Sequence, residues 1–306
     1  MSEQTTTANQ APQVRASFAT MAPWLFVLLW STGFIGARYG LPYIEPFTFL
    51  AIRFAIAAAL LAGIAVTLRS PWPRRAQVRH AAVTGLLLHA GYLGGVFFAV
   101  DRGMSAGMSA LIVSLQPVLT AVIGQATLGE GVSRRQWAGL ALGLVGVILV
   151  VGEKLLQPGA GNAGVSAATL TAAMIALACT TVGTLYQKRH GGGIPLLGGT
   201  AIQYVAAGSV VLLLSLTVET RAIIWAPQLF FAMAWLVLVL SLGAILLLML
   251  LLRLNSAASV ASLFYLVPPA TAIEAYLLFG ERLGPLALLG LALASLGVAL
   301  VVVPRP

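Results

Sequence analysis

Two charges of opposite sign stand inside otherwise apolar segments of this chain: Arg53 in FLAIRFAIAA and Glu274 in ATAIEAYLLF. A charge at depth in a membrane costs at least about 2–3 kcal/mol on insertion scales, so each side chain should face the protein interior. At the helical rise per residue, Arg53 lies about 10 Å and Glu274 about 8 Å inside the same edge. Similar depth and opposite sign favour an ion pair or a shared binding site. The alternatives are that Glu274 extends to the interface or that the pair is only structural.

The chemistry of such a pair suits a small zwitterion. An amino acid would place its carboxylate on Arg53 and its ammonium group near Glu274. Alternatively, Glu274 takes up a proton when it loses Arg53, since desolvation favours the neutral carboxyl group. In that case export would be coupled to proton entry.

Other polar and aromatic residues near the middle of the apolar segments would complete a substrate cavity. Each one alone is equally consistent with helix packing, and His89 is either a proton carrier or a histidine bonded to a neighbouring helix. Pro117 and Pro268 remove backbone donors within their segments, so we expect kinks and moving parts there. The candidate wall residues are Trp30, Ser31, Thr32, His89, Tyr92, Gln116, Gln203, Tyr204 and Tyr265.

The composition defines an integral membrane protein. Of 306 residues, 59% are hydrophobic and only 8% are charged, against about a quarter charged in soluble domains. The apolar runs are continuous and long enough for helical spans, without the alternation of barrel strands. We predict an all-α fold with residues 1–21 disordered and ten spans near 22–40, 46–68, 80–100, 105–128, 134–152, 166–188, 195–218, 228–252, 256–279 and 284–303.

The basic residues of the loops predict the orientation, because cytoplasmic loops are enriched in Lys and Arg. This distribution accounts for the net charge of +9 without a nucleic-acid partner. It places both termini in the cytoplasm. We expect the membrane to be a bacterial-type inner membrane, which the chain crosses several times. The predicted inner residues are Arg15, Arg69, Arg74, Arg75, Arg79, Arg134, Arg135, Lys188, Arg189, Arg253 and Arg305; the outer ones are Arg38, Arg102, Lys154, Arg221 and Arg282.

The second half of the chain repeats the first. A shift of 151 positions carries Gly129-Glu130 onto Gly280-Glu281, and a shift of 150 carries Arg53 onto Gln203. Residues 22–152 and 166–303 therefore form two units of five spans. Because five is odd, the second unit enters the membrane from the opposite face, an arrangement typical of secondary transporters. The alternative is a duplication that serves stability alone.

Small residues recur one turn apart in spans 5 and 10, where they allow helices to approach closely. We interpret these stripes as packing or dimer surfaces, so a homodimer is possible. Ser133 and Gln136 fit a capping box. Glu130 and Glu281 precede helix starts, where a carboxylate is favoured; the alternative is a gate at each face. The stripes are Gly139, Gly143 and Gly146 in span 5, and Gly290, Ala294 and Gly297 in span 10.

These features resemble the drug/metabolite transporter superfamily, with each half similar to an EamA unit. The resemblance rests on Trp30 with Gly33, on Ile52-Arg53-Phe54, on Pro117 and Pro268, and on the two Gly-Glu pairs. It implies export of small metabolites such as amino acids, with a small-molecule substrate and the lipid bilayer as partners. It does not imply a particular substrate, and Gln203 departs from the pattern set by Arg53.

Motifs for other chemistry are not found. The chain has no phosphate-binding loop, no H-E-x-x-H motif and no Cys/His cluster, so we expect no cofactor, no metal and no enzymatic activity. The competing function is a flippase or embedded enzyme acting on a lipid-linked substrate. That function would favour several carboxylates or histidines at one membrane face, whereas only Arg53, Glu274 and His89 lie within spans.

Overall fold

The structure is a computed structural model that describes residues 10–104, 109, 112–156, 166–279 and 284–302. The regular elements of these residues are helices, besides one isolated bridge between Ile44 and Ile223. We number them α1 (Gln10–Gly40), α2 (Pro46–Thr67), α3 (Arg75–Asp101), α4 (Gln116–Leu128), α5 (Arg134–Leu156), α6 (Ala167–His190), α7 (Leu196–Val218), α8 (Pro227–Leu254), α9 (Ala257–Ser262 and Val267–Phe279, joined by a 3₁₀ turn at Leu263–Leu266) and α10 (Pro285–Val302).

Eight of these helices are long and apolar enough to cross a membrane, namely α2, α3 and α5 to α10. In α1 the apolar part is shorter, Met21–Gly33, and the described helix of α4 has 13 residues. The all-helical membrane class is therefore confirmed, whereas ten crossings remain a prediction. Local signals set the helix ends: α2, α8 and α10 each begin with a proline, which fits the first helical turn. Gly129 ends α4 in the left-handed conformation at φ 66°.

The N-terminal prediction does not hold from Gln10 onward. Helix α1 starts at Gln10, so residues 10–21 are helical rather than disordered. Their sequence contains several alanines, the residue with the highest helix propensity, and continues directly into the apolar part of α1. Residues 1–9 lie outside the described residues.

Two helices contain a π-helical turn, at Leu86–Gly91 in α3 and at Leu236–Ala244 in α8. Such turns are rare and frequently occur at functional sites. They lie in corresponding helices of the two halves.

The two prolines expected to kink the middle of a helix lie instead at the beginning of an α-helical segment. Pro117 and Pro268 are each the second residue of an α-helical segment, after a turn at Ser114–Leu115 and after the 3₁₀ turn of α9. A proline at that place lacks only an N–H group that the first turn leaves unpaired anyway. The helix path therefore changes just before each proline. A hinge role for the two positions remains a prediction.

The small-residue stripes of α5 and α10 face each other. A Cβ added at Gly146 would lie 2.5 Å from the Ala294 nitrogen and 2.6 Å from the Gly290 carbonyl oxygen. One added at Gly297 would lie 2.6 Å from the Gly139 carbonyl oxygen. The two backbones thus pack at a distance that only small residues permit. The prediction of packing helices is confirmed, and the contact lies within one chain.

The helix-start predictions have mixed outcomes. The capping box is confirmed: Ser133 N–H donates to Gln136 Oε1 (2.9 Å), and Gln136 N–H donates to Ser133 Oγ (3.3 Å). Glu130, however, does not cap the helix that follows it. Its carboxylate accepts from the Ala257 N–H at the start of α9 (2.8 Å), because the free amides of α9 lie against the α4–α5 connection. Glu281 lies outside the described residues.

The connections contact one another in two groups, one at each end of the helices. At one end Gln77 Nε2 donates to the Gly193 carbonyl (2.8 Å), and Lys188 Nζ donates to the Asn255 carbonyl (2.6 Å). With Glu130, these contacts join the α2–α3, α4–α5, α6–α7 and α8–α9 connections. We call this the basic end, after Arg69, Arg74, Arg75, Arg79, Arg134, Arg135, Lys188, Arg189 and Arg253.

Carboxylates hold the opposite end together. Glu45 accepts from the three backbone N–H groups of residues 220–222 (2.6–3.3 Å), and Glu219 accepts from those of Phe47 and Thr48 (2.7 Å each). Burial would raise the pKa of Glu45, but the hydrogen bonds from residues 220–222 leave it below its ordinary value. Glu45 is therefore ionised at neutral pH and ties the start of α2 to the end of α7. We call this the acidic end.

Each helix of the first half contacts the same neighbours as its equivalent in the second half, once the halves are interchanged. α1 packs on α8 and α9, and α6 packs correspondingly on α3 and α4. Three further contacts join a helix to its own equivalent in the other half, namely α2 with α7, α4 with α9 and α5 with α10. Single contacts follow the same rule: Gly33 of α1 meets Leu240 of α8, and Gly183 of α6 meets Leu88 of α3. The duplication seen in the sequence thus recurs as a duplication of contacts.

The α5–α10 contact predicts a large difference between two Gly→Ala substitutions. Gly146→Ala should lower the free energy of unfolding by about 1–3 kcal/mol, because the added methyl group overlaps the α10 backbone. Gly63→Ala in α2, with nothing within 4 Å of the added Cβ, should be neutral or stabilising by about 0.5–1 kcal/mol. Unfolding of both variants in detergent measures the difference, and equal stabilities would contradict the close packing.

Candidate functional site

Arg53 is buried in the middle of the molecule. Its side chain is 2% exposed, and its Nε donates to Ser241 Oγ in the π-helical turn of α8 (2.9 Å). The guanidinium lies 6.0 Å from the centre of the Phe54 ring. Among the described residues, no carboxylate forms an ion pair with it. A buried cation is thus held by neutral groups only.

Glu274 is held elsewhere, by α1. Its Oε1 accepts a short hydrogen bond from Ser31 Oγ (2.5 Å), while Oε2 is buried without a partner among the described residues. Thr271 of α9 donates to the Ser31 carbonyl (3.3 Å). The direct ion pair with Arg53 that the sequence suggested is therefore not formed. The reason is the helix arrangement: α2 packs on α7 and α8, whereas α9 packs on α1 and α4.

Three of the predicted wall residues, His89, Gln203 and Tyr204, meet around Arg53. His89 is fully buried, with Nε2 3.3 Å from Gln203 Oε1 and its ring stacked on Tyr204 (4.5 Å between centres). The Tyr204 hydroxyl donates to the Ser241 carbonyl (3.0 Å). His89 Nδ1 has no partner among the described residues. We call this the central polar cluster: Arg53, His89, Gln203, Tyr204 and Ser241.

The central polar cluster repeats one contact in both halves. Arg53 and Gln203 are equivalent at the shift of 150, and each one bonds the π-helical turn of the opposite half. The two contacted positions, His89 and Ser241, are separated by 152 residues, and Leu88 and Leu240 by the same number. The direction of the bond differs, because Arg53 donates to Ser241 whereas Gln203 Oε1 accepts from His89 Nε2. Sequence reasoning missed Ser241. Its signal was a single hydroxyl in LVLVLSLGA, visible only when α8 is aligned with α3.

Trp30 and Tyr92 lie at a small cavity beside this cluster. The cavity has a volume of about 20 Å³, roughly the space of one water molecule. His89 and Tyr92 are three residues apart on α3, so the cavity and the cluster are separated by about one turn, ~4.5 Å along the helix. The remaining lining residues are Val96, Ser109, Val113, Ser114, Phe264, Val267 and Pro268.

The other three predicted wall residues lie at helix contacts. Thr32 of α1 accepts from Trp235 Nε1 of α8 (2.9 Å). Gln116 of α4 is fully buried and donates from Nε2 to Thr184 Oγ1 of α6 (3.2 Å). Tyr265 of α9 packs its ring against Gly143 of α5. Its hydroxyl has no partner among the described residues.

The polar groups of the site are suited to recognise charge. No group of three or more His, Cys, Asp or Glu residues among those described is arranged to hold a metal ion. The groups that can act on a ligand are one guanidinium, one carboxyl group, an imidazole and several hydroxyl and amide groups.

Comparisons with known proteins relate the chain to membrane transporters. Residues 19–152 match the EamA-like transporter family. The chain is 28% identical to the uncharacterized inner membrane transporter YedA of Escherichia coli (strain K12), over 90% of this chain and 87% of that protein. It is 29% identical to a probable terminal-alkyne amino-acid exporter of Streptantibioticus cattleyicolor, over 94% of both chains.

Two further comparisons add to these. A probable amino-acid metabolite efflux pump of Salmonella typhimurium is 28% identical over 43% of this chain and 42% of its own. One crystal structure superposes with a TM-score of 0.74 at 21% identity, covering 93% of this chain and 96% of that chain; this likeness concerns the fold alone. The fold and the relatives together define a multi-pass membrane transporter. Within it, residues 19–152 are similar to EamA-like transporters.

The Arg53–Ser241 contact predicts a stability loss. Ser241→Ala should lower the free energy of unfolding by about 1–3 kcal/mol, because it leaves a buried charged donor without its acceptor. The control is Ser209→Ala, an exposed serine of α7 whose hydroxyl donates to its own helix at Val205. Denaturant titration in detergent compares the two, and a loss no larger than that of the control would contradict the assignment.

Proposed function

We propose that the protein is a secondary transporter that exports small organic metabolites, amino acids or related compounds, by alternating access. The observation that carries the proposal is Arg53: a guanidinium with 2% exposure, held by neutral groups from both halves of the chain. In this proposal its missing counter-charge is the carboxylate of the substrate.

The energetics favour a ligand for Arg53. An unpaired charge buried away from water costs several kcal/mol, and charged residues within membranes commonly mark solute pathways. A guanidinium offers planar paired donors that match a carboxylate. Since the Nε of Arg53 is taken by Ser241, its terminal nitrogens are the groups available to an anion.

Alternating access is supported by the paired contacts of the two halves. In the proposed topology ten helices cross the membrane, because the connections between helices alternate between the basic and the acidic end. The halves then run in opposite directions, with the basic end in the cytoplasm. The contact of Arg53 with Ser241 is short (2.9 Å), and the equivalent contact of Gln203 with His89 is longer (3.3 Å). We propose that in the opposite-facing state the Gln203–His89 contact is the shorter one and the Arg53–Ser241 contact is the longer one.

The proposed substrate class is based on the names of two relatives. Both names refer to amino acids, one as an exporter and one as an efflux pump. An α-amino acid has the carboxylate that Arg53 lacks and an ammonium group that the free oxygen of Glu274 would accept. The two side chains are not in contact in this state, so both would bind one solute only after the halves move.

Reconstituted transport tests the role of Arg53. Full-length protein in liposomes should move radiolabelled amino acids, and Arg53→Gln should lower the rate at least about tenfold, the equivalent of one lost charged hydrogen bond. Arg53→Lys should recover part of the rate, since it keeps the charge without the planar donors. The control is Arg102→Gln, whose side chain is 62% exposed. Wild-type rates in Arg53→Gln, or no transport by the wild type, would overturn the proposal.

Proton coupling through Glu274 has its own test. An imposed pH gradient should stimulate transport by the wild-type protein and leave Glu274→Gln unstimulated, because an amide cannot exchange a proton. Asp101→Asn is the matched control, a carboxylate whose side chain is 36% exposed. Gradient stimulation that survives in Glu274→Gln removes Glu274 from the coupling mechanism while leaving transport itself in place.

A further inference from the structure

The small cavity beside the central polar cluster is lined by equivalent stretches of the two repeats. One wall carries polar groups and the other is aromatic. The cavity lining includes Ser109 and Val113, which precede α4 in the chain, and Phe264 and Val267 of α9. The shift of 151 carries Val113 onto Phe264 and Gln116 onto Val267. Both repeats therefore present the same stretch to the same cavity.

The α4 wall is polar and incompletely bonded. Ser109 Oγ, Gln116 Oε1 and Thr120 Oγ1 have no partner among the described residues, and each residue is 0–1% exposed. Gln116 and Thr120 are four residues apart on α4 and share one helical face, while Ser109 and Val113 line the cavity before the turn at Ser114–Leu115. This face starts at the cavity and continues toward the basic end, where α4 terminates.

Such a face is unfavourable for packing alone. Leaving a buried acceptor or hydroxyl group unsatisfied costs about 1–3 kcal/mol per group, and a small hydrophobic residue would fit between helices without that cost. At the equivalent positions of α9 the chain has apolar residues, Val260 for Ser109 and Val267 for Gln116. Thr120 corresponds to Thr271, whose hydroxyl is bonded to the Ser31 carbonyl (3.3 Å). At these three positions, unbonded polar atoms are thus found in the first repeat only.

The opposite wall is aromatic. Phe26 and Trp30 of α1 and Phe264 of α9 form a cluster with ring centres 5.2–5.4 Å apart. Two of these rings, Trp30 and Phe264, line the cavity. A solute passing here meets hydrogen-bonding groups on one side and an apolar surface on the other.

We infer that Ser109, together with Gln116 and Thr120 of α4, forms the polar wall of an amphipathic passage. This wall binds the hydrogen-bonding edge of the solute, and Trp30 and Phe264 contact its apolar face. The inference rests on the proposed transport function and deepens it. The substrate class is small amphipathic solutes, with polar groups along one edge and an aliphatic or aromatic group opposite. Thr120, toward the basic end, is a binding position of this passage.

Cysteine accessibility tests the passage directly. Thr120→Cys, Ala121→Cys and Val122→Cys are made in a Cys179→Ser background, which removes the single native thiol. In liposomes, a membrane-impermeant methanethiosulfonate should modify position 120 at least tenfold faster than its two neighbours. Ala121 is 1% exposed in packing and Val122 is 49% exposed on the outer surface, so neither meets water in the passage.

The outcomes separate this inference from the proposed function. Arg75→Cys serves as the fully accessible reference, and size-exclusion chromatography verifies that each variant folds. If position 120 is as slow as position 121 while Arg75→Cys reacts, the passage is disproved, whether or not the protein transports. If position 120 reacts fast but no amino acid is moved, the transport proposal fails and the hydrated wall remains.

Solute preference gives a second test. Wild-type protein should transport leucine at least about tenfold faster than serine, the discrimination that an apolar pocket provides for a larger side chain. Phe264→Ser should narrow this ratio by weakening the apolar wall. Thr120→Val should lower the rate for both solutes, and Thr217→Val, an exposed position whose hydroxyl bonds its own helix, should not. A wild-type preference for serine would overturn the amphipathic assignment.

Discussion

A guanidinium group buried among membrane helices is the constraint on which the rest of the structure depends. Arg53 cannot face lipid, so α2 must turn it toward α7 and α8, where Ser241 accepts one of its hydrogen bonds (2.9 Å). That contact fixes the depth of α8 relative to α2. It also brings Tyr204 and His89 to the same place, because Tyr204 bonds the Ser241 carbonyl and His89 stacks on Tyr204. One costly charge thus organises four helices around a polar centre.

The same centre shows why duplication matters physically. Each half supplies a polar residue, Arg53 or Gln203, that bonds the π-helical turn of the other half. α1, α8 and α9 pack together, and α3, α4 and α6 form the equivalent group. Two equivalent groups that meet through equivalent contacts can exchange roles at little net cost, which is what a carrier needs. In the proposed function, the unlike residues at equivalent positions would present a solute with a charge on one side and an apolar wall on the other.

Much of the fold was readable from the sequence, because long apolar runs and prolines at helix starts leave few choices for the spans. Glycine spacing predicted that α5 and α10 are packing or dimer helices, but not that they pack on each other. The site was readable only in part. Arg53, His89, Gln203 and Tyr204 do meet, but depth along a span gave no information about which helices are neighbours, so the Arg53–Glu274 pair was wrong as a direct contact. Ser241 and Thr120 escaped notice because single hydroxyl groups in apolar helices carry no periodic signal.

Relative motion of α3 and α8 is the most direct test, because these helices hold the two π-helical turns and run between the same two ends. Spin-label distances would be measured across the basic end, between positions 75 and 254, and across the acidic end, between positions 102 and 225, in a Cys179→Ser background. The account predicts that a transported amino acid shifts the two distances in opposite directions. Distances that both stay fixed, or that both widen together, would contradict alternating access by exchange of the two halves.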